Sequence, residues 1–481
     1  MRDLRSTMII LLPLFFTMCG GSLSLTGNSI TGGGGGGNNS NSNSNSGLPI
    51  VVSVTPANND ASVDVASAIT ATFSVAMAPA TINATTFTLH QGAIAVSGTV
   101  TYCGKTATFT PTSALSPHST YIALVSTGAK DTLGNALAGD YAWVFTTTRD
   151  YSAWMDVGIN YEAPAGGNAY YPSVLYDVNG FGAGTPKYYM WYSDGNGSTF
   201  LVSSANGLQW GSPTTMSGIV NSHHTQVLYD ASCFGVTPCI DGVTTKYRMW
   251  FWDIGAPTIY SISSMATAES ADGINWVNQQ AVTQNPAAKL VQDPDLGVGW
   301  NRGTYGPVAL FYRPGASNTG TEPWGYQYVM YYDGTDGAHE DTGLAYSTDG
   351  LYWNAYTANP ILGSSLIGGW DCYSSVYGAI YKDAVGFHYF YSGKGQDDGS
   401  GNCIDPASNN FEGIGSAFST DGEAWIRSIS NPIFDISDGV YYRNERIYTP
   451  SVVDDGTGVL RMYYTAKEVG GPKKIGLAVL H

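Results

Sequence analysis

Basic residues are scarce in this chain of 481 residues. It contains 20 Lys and Arg against 37 Asp and Glu, and its formal net charge at pH 7 is −17. Proteins that bind nucleic acid carry basic patches, so we expect no nucleic acid partner. The acidic balance is compatible with neutral sugars or bound cations as ligands.

A long apolar run is also missing. The most apolar stretch near the start, from Met8 to Phe16, is too short to span a bilayer and contains Pro13. Two arginines precede it, at positions 2 and 5, and Cys19 follows it. This order predicts an export signal in residues 1–19 rather than a transmembrane helix.

Cysteine is rare as well. The chain has six, none of them in a CxxC pair, so we predict no zinc site. An exported chain permits disulfides. Cys233 and Cys239 bracket one loop, and Cys372 and Cys403 lie within one sequence repeat. We predict these two pairs as disulfides, which leaves Cys103 without a partner.

The residues around Cys19 resemble the lipobox of bacterial lipoproteins, in which this cysteine is acylated. Gly20 and Gly21 follow it, whereas Met18 departs from the small residue that the pattern prefers. The resemblance implies lipidation of Cys19 and a membrane anchor at the cell envelope; an ordinary signal peptide, and hence secretion, is the alternative. Residues 20–48 are rich in Gly, Asn and Ser, which predicts a disordered tether.

Glycine and aromatic residues are abundant, with 60 Gly, 33 Tyr and 12 Trp. This composition is typical of many short strands joined by tight turns and predicts an all-β chain. Residues 49–148 alternate apolar and polar residues at period two, as in Ile69–Phe73, which indicates a β-sandwich. The pieces Val54–Ala57, Phe109–Pro111 and Trp143–Thr147 resemble the bacterial Ig-like domain of S-layer proteins. The resemblance implies a spacer or adhesion module.

A repeat organises residues 149–481. The pattern Ser-x-(Asp/Asn)-Gly-x-x-Trp occurs four times, ending at Trp210, Trp276, Trp353 and Trp425. Its Asp-Gly or Asn-Gly step favours a tight hairpin turn. Five aromatic strands accompany the repeat, at 188–192, 247–251, 328–332, 387–391 and 461–464. The last unit lacks the hairpin, and Trp154–Val157 can supply its missing strand. We predict a five-bladed β-propeller closed by an N-terminal strand.

The hairpins and the five units resemble the glycoside hydrolase superfamily of arabinanases, xylosidases, levansucrases and invertases. The resemblance implies an active site on the propeller axis, with carboxylates at the inner ends of the first strands of blades one to three. Hydrolysis of a glycoside needs two such groups. This chain has no aspartate before Pro172, and Tyr305 stands where the general acid is expected. The family's catalytic residues therefore cannot be transferred.

Other charged residues can reach the same face, because the start of strand one and the end of strand two of each blade lie together. The candidate catalytic residues are Asp371 and Glu445, and the candidate substrate-binding residues are Tyr171, His224, Tyr305, Asp333 and Arg446. The alternative is that Asp371 and Glu445 cap loops or pair with arginines such as Arg443. Because neighbouring strand residues face opposite ways, we expect only one of His223 and His224 to face the channel.

Three functions are consistent with the sequence. The first is a carbohydrate-active envelope protein, with glycoside hydrolysis at the axis; the second is non-catalytic binding of a glycan or matrix; the third is a structural envelope protein. A glycan is the expected partner in the first two. We predict no cofactor and no catalytic metal, and a structural cation such as calcium is left open, although no loop has EF-hand spacing.

Overall fold

The computed structural model describes residues 47–181, 186–235, 245–255, 265–284, 303–319, 323–335, 339–363, 369–397, 403–404, 411, 413–428, 430–438 and 440–481. The chain divides into two compact units between Thr148 and Arg149. The predicted export signal and almost all of the predicted tether lie outside the described residues. The described residues contain no helix whose length and apolarity would allow it to cross a membrane.

The first unit is a β-sandwich. Its strands are β1 (Val51–Thr55), β2 (Asp60–Val63), β3 (Ile69–Phe73), β4 (Phe87–Gln91), β5 (Ile94–Ala95), β6 (Gly98–Cys103), β7 (Thr106–Pro111), β8 (Thr120–Val125) and β9 (Tyr141–Thr147). One sheet has the order β1-β3-β7-β6 and the other β2-β9-β8-β4-β5. Alternate residues of β3 are buried between the sheets, against Phe87, Phe109 and Trp143. The period-two pattern thus produces the predicted sandwich.

The second unit consists of β-meanders. Its strands are β10 (Met155–Tyr161), β11 (Tyr170–Tyr176), β12 (Tyr188–Ser193), β13 (Thr199–Ser204), β14 (Thr214–Thr215), β15 (Ser222–Tyr229), β16 (Tyr247–Asp253), β17 (Met265–Ser270), β18 (Trp276–Ala281), β19 (Thr283–Gln284), β20 (Gly303–Tyr312), β21 (Tyr328–Thr335), β22 (Glu340–Ser347), β23 (Tyr352–Ala355), β24 (Ser374–Lys382), β25 (Phe387–Lys394), β26 (Gln396–Asp397), β27 (Cys403–Ile404), β28 (Gly413–Ser419), β29 (Ile426–Arg427), β30 (Phe434–Asp435), β31 (Arg446–Asp454), β32 (Leu460–Lys467) and β33 (Lys473–Leu480). Helical structure in the described residues is limited to short 3₁₀ turns at Pro79–Thr81, Pro164–Gly166, Cys233–Gly235, Pro323–Gly325, Ile436–Asp438 and Tyr441–Arg443.

The strands pair into successive antiparallel meanders, here numbered 1 to 5. Meander 1 is β11–β14, meander 2 is β15–β18, meander 3 is β20–β23, meander 4 is β24, β25 and β28 with the short β29 and β30, and meander 5 is β31–β33 with β10. Strand β10 precedes all the others in the unit but pairs with the last one, with Gly158 opposite Leu477. The predicted closure by an N-terminal strand is confirmed.

The meanders are arranged around a common axis. The first strands β11, β15, β20, β24 and β31 each contact the next, and β31 contacts β11 again. Across that last contact, Val174 N donates a hydrogen bond to Ser451 Oγ at 3.0 Å. The apolar core divides into one cluster between each pair of neighbouring meanders and a smaller one on the axis. The predicted fold class, an all-β sandwich followed by a propeller, is confirmed.

The repeated hairpins join neighbouring meanders. In each, the Ser side chain accepts a hydrogen bond from the Gly N–H and the Asp or Asn side chain accepts bonds from later N–H groups, as in Ser270 and Asp272. The hairpin Gly carbonyl accepts a bond from the preceding meander: from Trp191 to Gly273, Trp250 to Gly350, Tyr331 to Gly422 and Tyr463 to Gly207. The hairpin aspartates are therefore turn formers, as expected.

The disulfide prediction holds where the structure describes both cysteines. Cys372 and Cys403 form a disulfide with a Cα–Cα distance of 5.8 Å. Cys233 is also disulfide-bonded, but Cys239 lies outside the described residues, so that pair stays a prediction. Cys103 was expected to lack a partner, and this was wrong, because Cys103 is in a disulfide too. Since the chain has six cysteines, this bond is incompatible with having both the Cys233–Cys239 pair and an acylated Cys19.

Candidate axial site

The innermost strands share a backbone irregularity that shapes the axis. Each carries one residue with positive φ where the pairing register shifts: Tyr171 at 56°, His224 at 54°, Gly306 at 130°, Tyr377 at 51° and Thr449 at 51°. Four of these are not glycine, and such a conformation is strained for residues with a Cβ. A bulge of this kind re-aims the side chains around it. The five bulges thus direct side chains toward the axis at equivalent positions.

The side chains that meet there form what we call the aromatic plug: Tyr171, His224, Tyr377, Phe411 and Tyr448. The ring of Tyr171 lies 4.0 Å from His224 and 5.7 Å from Tyr448, centroid to centroid. His224 lies 4.4 Å from Tyr377. The space left between these strands is a cavity of about 10 Å³, roughly the volume that a single water molecule requires. The axis is therefore filled by aromatic side chains at this level.

His223 and His224 both approach the plug. The His223 ring lies 4.7 Å from Tyr171 and the His224 ring 4.0 Å. His224 lines the axial cavity and His223 is not among its lining residues, which agrees with the expectation that only one would face the channel. The bulge at His224 brings both imidazoles to the same neighbour.

His223 is a buried and neutral imidazole. Its Nε2 lies 3.0 Å from the hydroxyl of Tyr170. Burial, followed by the positive charge of Lys473, lowers the pKa of His223 to about 4. Its Nδ1 has no hydrogen-bond partner among the described residues, and neither does the nearby strand-end hydroxyl of Ser193. Buried polar atoms of this kind are few in folded proteins and each calls for a partner such as water or a ligand.

Three cations form a row across meander 5, which we call the cation row: Arg446, Lys467 and Lys473. Arg446 is directly opposite Lys467, and Lys467 is directly opposite Lys473. Directly opposite residues of antiparallel strands project on the same face. The row therefore presents three positive charges side by side at the strand ends.

Lys473 connects the row to the aromatic residues. Its Nζ lies 3.7 Å from the centroid of the Tyr170 ring, a cation–π contact. Burial, followed by repulsion from Arg446 and Lys467, lowers its pKa to about 8, although Glu445 acts in the opposite direction. Arg446 lies close enough to Tyr171 and Tyr448 to act on their hydroxyls electrostatically.

The predicted catalytic carboxylates lie in ion pairs. The Asp371 carboxylate is buried, accepts a hydrogen bond from Tyr391 at 2.8 Å and pairs with Arg427 Nε at 2.9 Å. Glu445 pairs with Lys467. These contacts favour the alternative that Asp371 is structural, although its partner is Arg427; Arg443 instead pairs with Asp156.

Asp333 belongs to a different arrangement. It is fully buried, and both its oxygens accept the backbone N–H of Tyr377, at 3.3 and 3.2 Å. Burial raises the pKa of Asp333 well above its usual range, and the charge of Glu340 adds to this. Glu340 is bonded to Ser374 and lies 3.8 Å from Lys394. Burial therefore favours the protonated form of Asp333, whereas Glu340 has a cation beside it.

The sequence-predicted site residues are thus partly brought together. Tyr171, His224 and Arg446 lie at the plug or beside it, whereas Asp371 lies in its own ion pair. The backbone of Tyr305 precedes the bulge in β20, but its side chain is outside the described residues. Tyr170 and Lys473 were not predicted, and His223 was considered only as the neighbour of His224; aligning the starts of the first and third strands of each repeat would have pointed to all three.

Metal binding has no support in the part of the chain that the structure describes. Those residues contain no group of three or more His, Cys, Asp or Glu side chains that could hold a metal ion. The structural cation stays a prediction.

Comparison with known proteins identifies the first unit most directly. Residues 46–147 match a bacterial Ig-like domain family. No curated protein matches the chain.

Solved structures resemble the chain only distantly. A glycoside hydrolase has 15% identity and a TM-score of 0.46, covering 67% of this chain and 90% of its own. An N-acetylgalactosamine deacetylase from F. plautii, in complex with blood group B trisaccharide, has 14% identity and a TM-score of 0.42, and the match covers 68% of this chain and 95% of the deacetylase chain. An alpha-L-arabinofuranosidase from Lactobacillus brevis has 12% identity and a TM-score of 0.41, and the match covers 67% of this chain and 92% of that one. We assign no activity from these similarities.

Proposed function

We propose that the second unit binds a glycan at the axial site, where the aromatic plug meets the cation row, and that it does not hydrolyse it. In this proposal the five meanders are the blades of one closed propeller, and the Ig-like unit is a spacer. We also propose that the chain is exported and held at the cell envelope through an acylated Cys19.

The observation that carries the glycan proposal is the composition of the axial face. Tyr171, Arg446 and Lys473 are all partly exposed there, and Tyr171 contacts the buried ring of His223. Ligand sites typically combine aromatic surface with a few convergent polar groups. Sugars match this combination, because their C–H faces pack on aromatic rings and their hydroxyls bond with polar atoms.

The carboxylates argue for binding without hydrolysis. A glycosidase needs one carboxyl group that can protonate the leaving oxygen and a second that acts as base or nucleophile. Asp371 and Glu445 are both held by cations. In these ion pairs the oxygens of both carboxylates are already engaged by side chains of the protein itself.

A second candidate, hydrolysis, is favoured by the pair Asp333 and Glu340. Thr335 is opposite Glu340 and Asp333 is opposite Thr342, so the two carboxyl groups project from the same face at diagonal positions, roughly 7 Å apart at Cβ. Burial favours the protonated form of Asp333 and Glu340 has a cation beside it, and unequal environments of this kind divide acid and base roles in glycosidases. The complete burial of Asp333 weighs against direct contact with a substrate.

Glycan-array binding, followed by assay of released reducing sugar on each glycan that binds, tests both candidates. We expect the protein to bind a glycan without turnover. We also expect Asp371→Asn and Glu445→Gln to change the affinity for that glycan by no more than about threefold. If the protein is instead a hydrolase, turnover should be detected and should fall at least about 100-fold in Asp333→Asn and in Glu340→Gln. Asp349→Asn, which changes a hairpin residue, is the control and should keep its turnover. Turnover lost in Glu445→Gln would overturn the proposal, as would the absence of any bound glycan.

A further inference from the structure

Two residues of opposite charge, Lys473 and Asp194, are held beside one buried ring, that of Tyr170. The Nζ of Lys473 lies 3.7 Å from the centroid of this ring. The backbone carbonyl of Lys473 also accepts the N–H of Ala169, the residue before Tyr170, at 2.8 Å. On the neighbouring strand Ser193 is directly opposite Tyr170, and Asp194 follows it. An ammonium and a carboxylate are therefore placed next to the same side chain.

The loop that carries Asp194 is packed directly on Tyr170. Gly195 has a φ of 88°, which residues with a Cβ rarely adopt, and a Cβ at this position would overlap the hydroxyl of Tyr170. The carboxylate of Asp194 lies close enough to act electrostatically on Tyr170 and His223, and Nε2 of His223 lies 3.0 Å from the same hydroxyl. The backbone that carries this carboxylate therefore has little freedom to move away from the axial site.

Both charged groups have capacity left for a ligand. Oδ1 of Asp194 accepts the backbone N–H groups of Asn196 and Ser198, at 2.7 and 3.2 Å, whereas Oδ2 accepts no hydrogen bond from the residues that the structure describes. The Nζ of Lys473 has neither a hydrogen-bond acceptor nor a carboxylate within ion-pair distance among the same residues. Both side chains are partly exposed. One site thus offers an oxygen that only accepts and an ammonium that only donates.

We propose that Asp194 and Lys473 bind hydroxyl groups of an uncharged sugar residue within the glycan that occupies the axial site. Oδ2 of Asp194 accepts a hydrogen bond from one hydroxyl, and Nζ of Lys473 donates to another. The inference rests on the proposed function and adds the substrate class to it, a neutral glycan. A hydroxyl has one proton to donate and two lone pairs that accept, so a sugar ring with several hydroxyls satisfies both groups. Hydrogen bonds in which one partner is ionised are roughly twice as strong as neutral ones.

The opposite charges of the two groups disfavour charged sugars. Both groups lie beside Tyr170, so an acidic sugar meets the like charge of Asp194 and an amino sugar meets that of Lys473. A neutral sugar meets neither repulsion. Tyr171, whose ring lies 4.7 Å from that of Tyr170, is partly exposed and offers an aromatic face to the C–H groups of the sugar.

The chain supplies a matched control for the carboxylate. Asp177 forms the same kind of turn at the other end of meander 1, where its Oδ1 accepts the N–H of Asn179 at 2.7 Å. Asp194→Asn keeps the oxygen that the turn requires and replaces Oδ2 by an amide nitrogen, which donates instead of accepting. We expect Asp194→Asn to lose at least tenfold in affinity for the glycan and Asp177→Asn to change it less than twofold.

Lys474 is the control for the ammonium, since it pairs with Glu162 and Glu468. Lys473→Met keeps an apolar stem beside Tyr170 and removes the charge. We expect at least a tenfold loss of affinity in Lys473→Met and less than a twofold change in Lys474→Met. The melting temperature of each variant without glycan shows whether it is folded at the temperature of the binding measurement.

Changes to the ligand test the inference on the wild-type protein. Neutral oligosaccharides of glucose, galactose, mannose, xylose and arabinose are compared on an array with oligosaccharides that contain glucuronate, galacturonate or glucosamine. Each glycan that binds is then compared, by calorimetry on the full chain, with analogues in which one hydroxyl is replaced by hydrogen. We expect the tightest ligand to be neutral and one such replacement to weaken binding at least tenfold. That analogue should bind the wild type and Asp194→Asn equally, because the hydrogen bond is already absent.

The outcomes separate the two proposals. A charged glycan that binds more tightly than every neutral one would overturn the inference and leave glycan binding intact. The same holds if no hydroxyl replacement weakens binding, or if folded Asp194→Asn and Lys473→Met bind like the wild type. Absence of all glycan binding would remove both proposals.

Discussion

His223 shows how a single buried residue at the axis makes stability depend on pH. Its pKa is lowered to about 4, from 6.5, by burial and by Lys473, whereas in the unfolded chain it titrates near its ordinary value. Between these two pH values the unfolded state binds more protons than the folded state. The stability that His223 contributes is therefore fully present above about pH 6.5 and is lost as the pH falls to about 4.

We expect this residue to contribute about 3 kcal/mol to the difference in unfolding free energy between pH 7 and pH 4. Urea titrations of the wild type and of His223→Asn at both pH values measure the contribution. The variant is less stable at pH 7, because Tyr170 loses its partner, but it should lose less stability on acidification. An identical loss in the two proteins would show that the pKa of His223 is the same in the folded and unfolded states.

At the scale of elements, the ring is closed by the segment that contains Trp154 and β10, and we call the contact of this segment with meander 4 the seam. Meander 5 receives β10 in place of a hairpin, and meander 4 faces that segment. Where the other meanders have Trp191, Trp250, Tyr331 or Tyr463 to donate to a hairpin carbonyl, meander 4 has Phe390, which has no donor. Phe390 packs edge-on against Trp154, with 5.3 Å between ring centroids. The change from donor to apolar ring thus matches the change of partner.

Truncating Trp154 should weaken the second unit alone. Trp154→Ala removes a buried ring at the seam, at an expected cost of about 3–5 kcal/mol. Trp143→Ala is the matched control, since Trp143 is buried in the sandwich. Scanning calorimetry of the full chain should show one unfolding transition for each unit. Trp154→Ala should lower the melting temperature of the second unit only, and Trp143→Ala that of the first unit only. A single transition lowered equally by both would contradict separate unfolding of the two units.

At the scale of the whole molecule, the proposed location follows from the order of segments. An export signal, Cys19 and a Gly, Asn and Ser tether precede the two folded units. In an acylated protein this order would hold the axial site away from a membrane while leaving it open to large glycans. The disulfide between Cys372 and Cys403 is compatible with an oxidising compartment.

Acylation is testable by fractionation of cells that express the full chain. We expect the wild type in the membrane fraction, labelled by a fatty acid probe, and Cys19→Ser unlabelled and in the soluble fraction. Ser24→Ala, a substitution in the tether, should behave like the wild type. An unlabelled wild type recovered outside the membrane fraction would instead favour the ordinary signal peptide.

The repeat explains why the fold was predictable and the site only in part. Each Ser-x-(Asp/Asn)-Gly-x-x-Trp hairpin is determined by local backbone preferences, so its strands could be located from the sequence, as could the missing strand near Trp154. Tyr171, His224 and Arg446 were also found, because they start first strands. The partners of Asp371 and Glu445 depended on side chains from other strands and could not be read from spacing.

The sequence alone determined the all-β class, the sandwich, the repeating meanders and the closing strand, because turn chemistry and period-two burial act over a few residues. Tertiary structure alone decided which charges meet. Arg446, Lys467 and Lys473 become neighbours only through strand register, and both imidazoles reach Tyr171 only because a bulge breaks the alternation. Register and bulges depend on packing between distant segments, and the chemistry of the axial face depends on them.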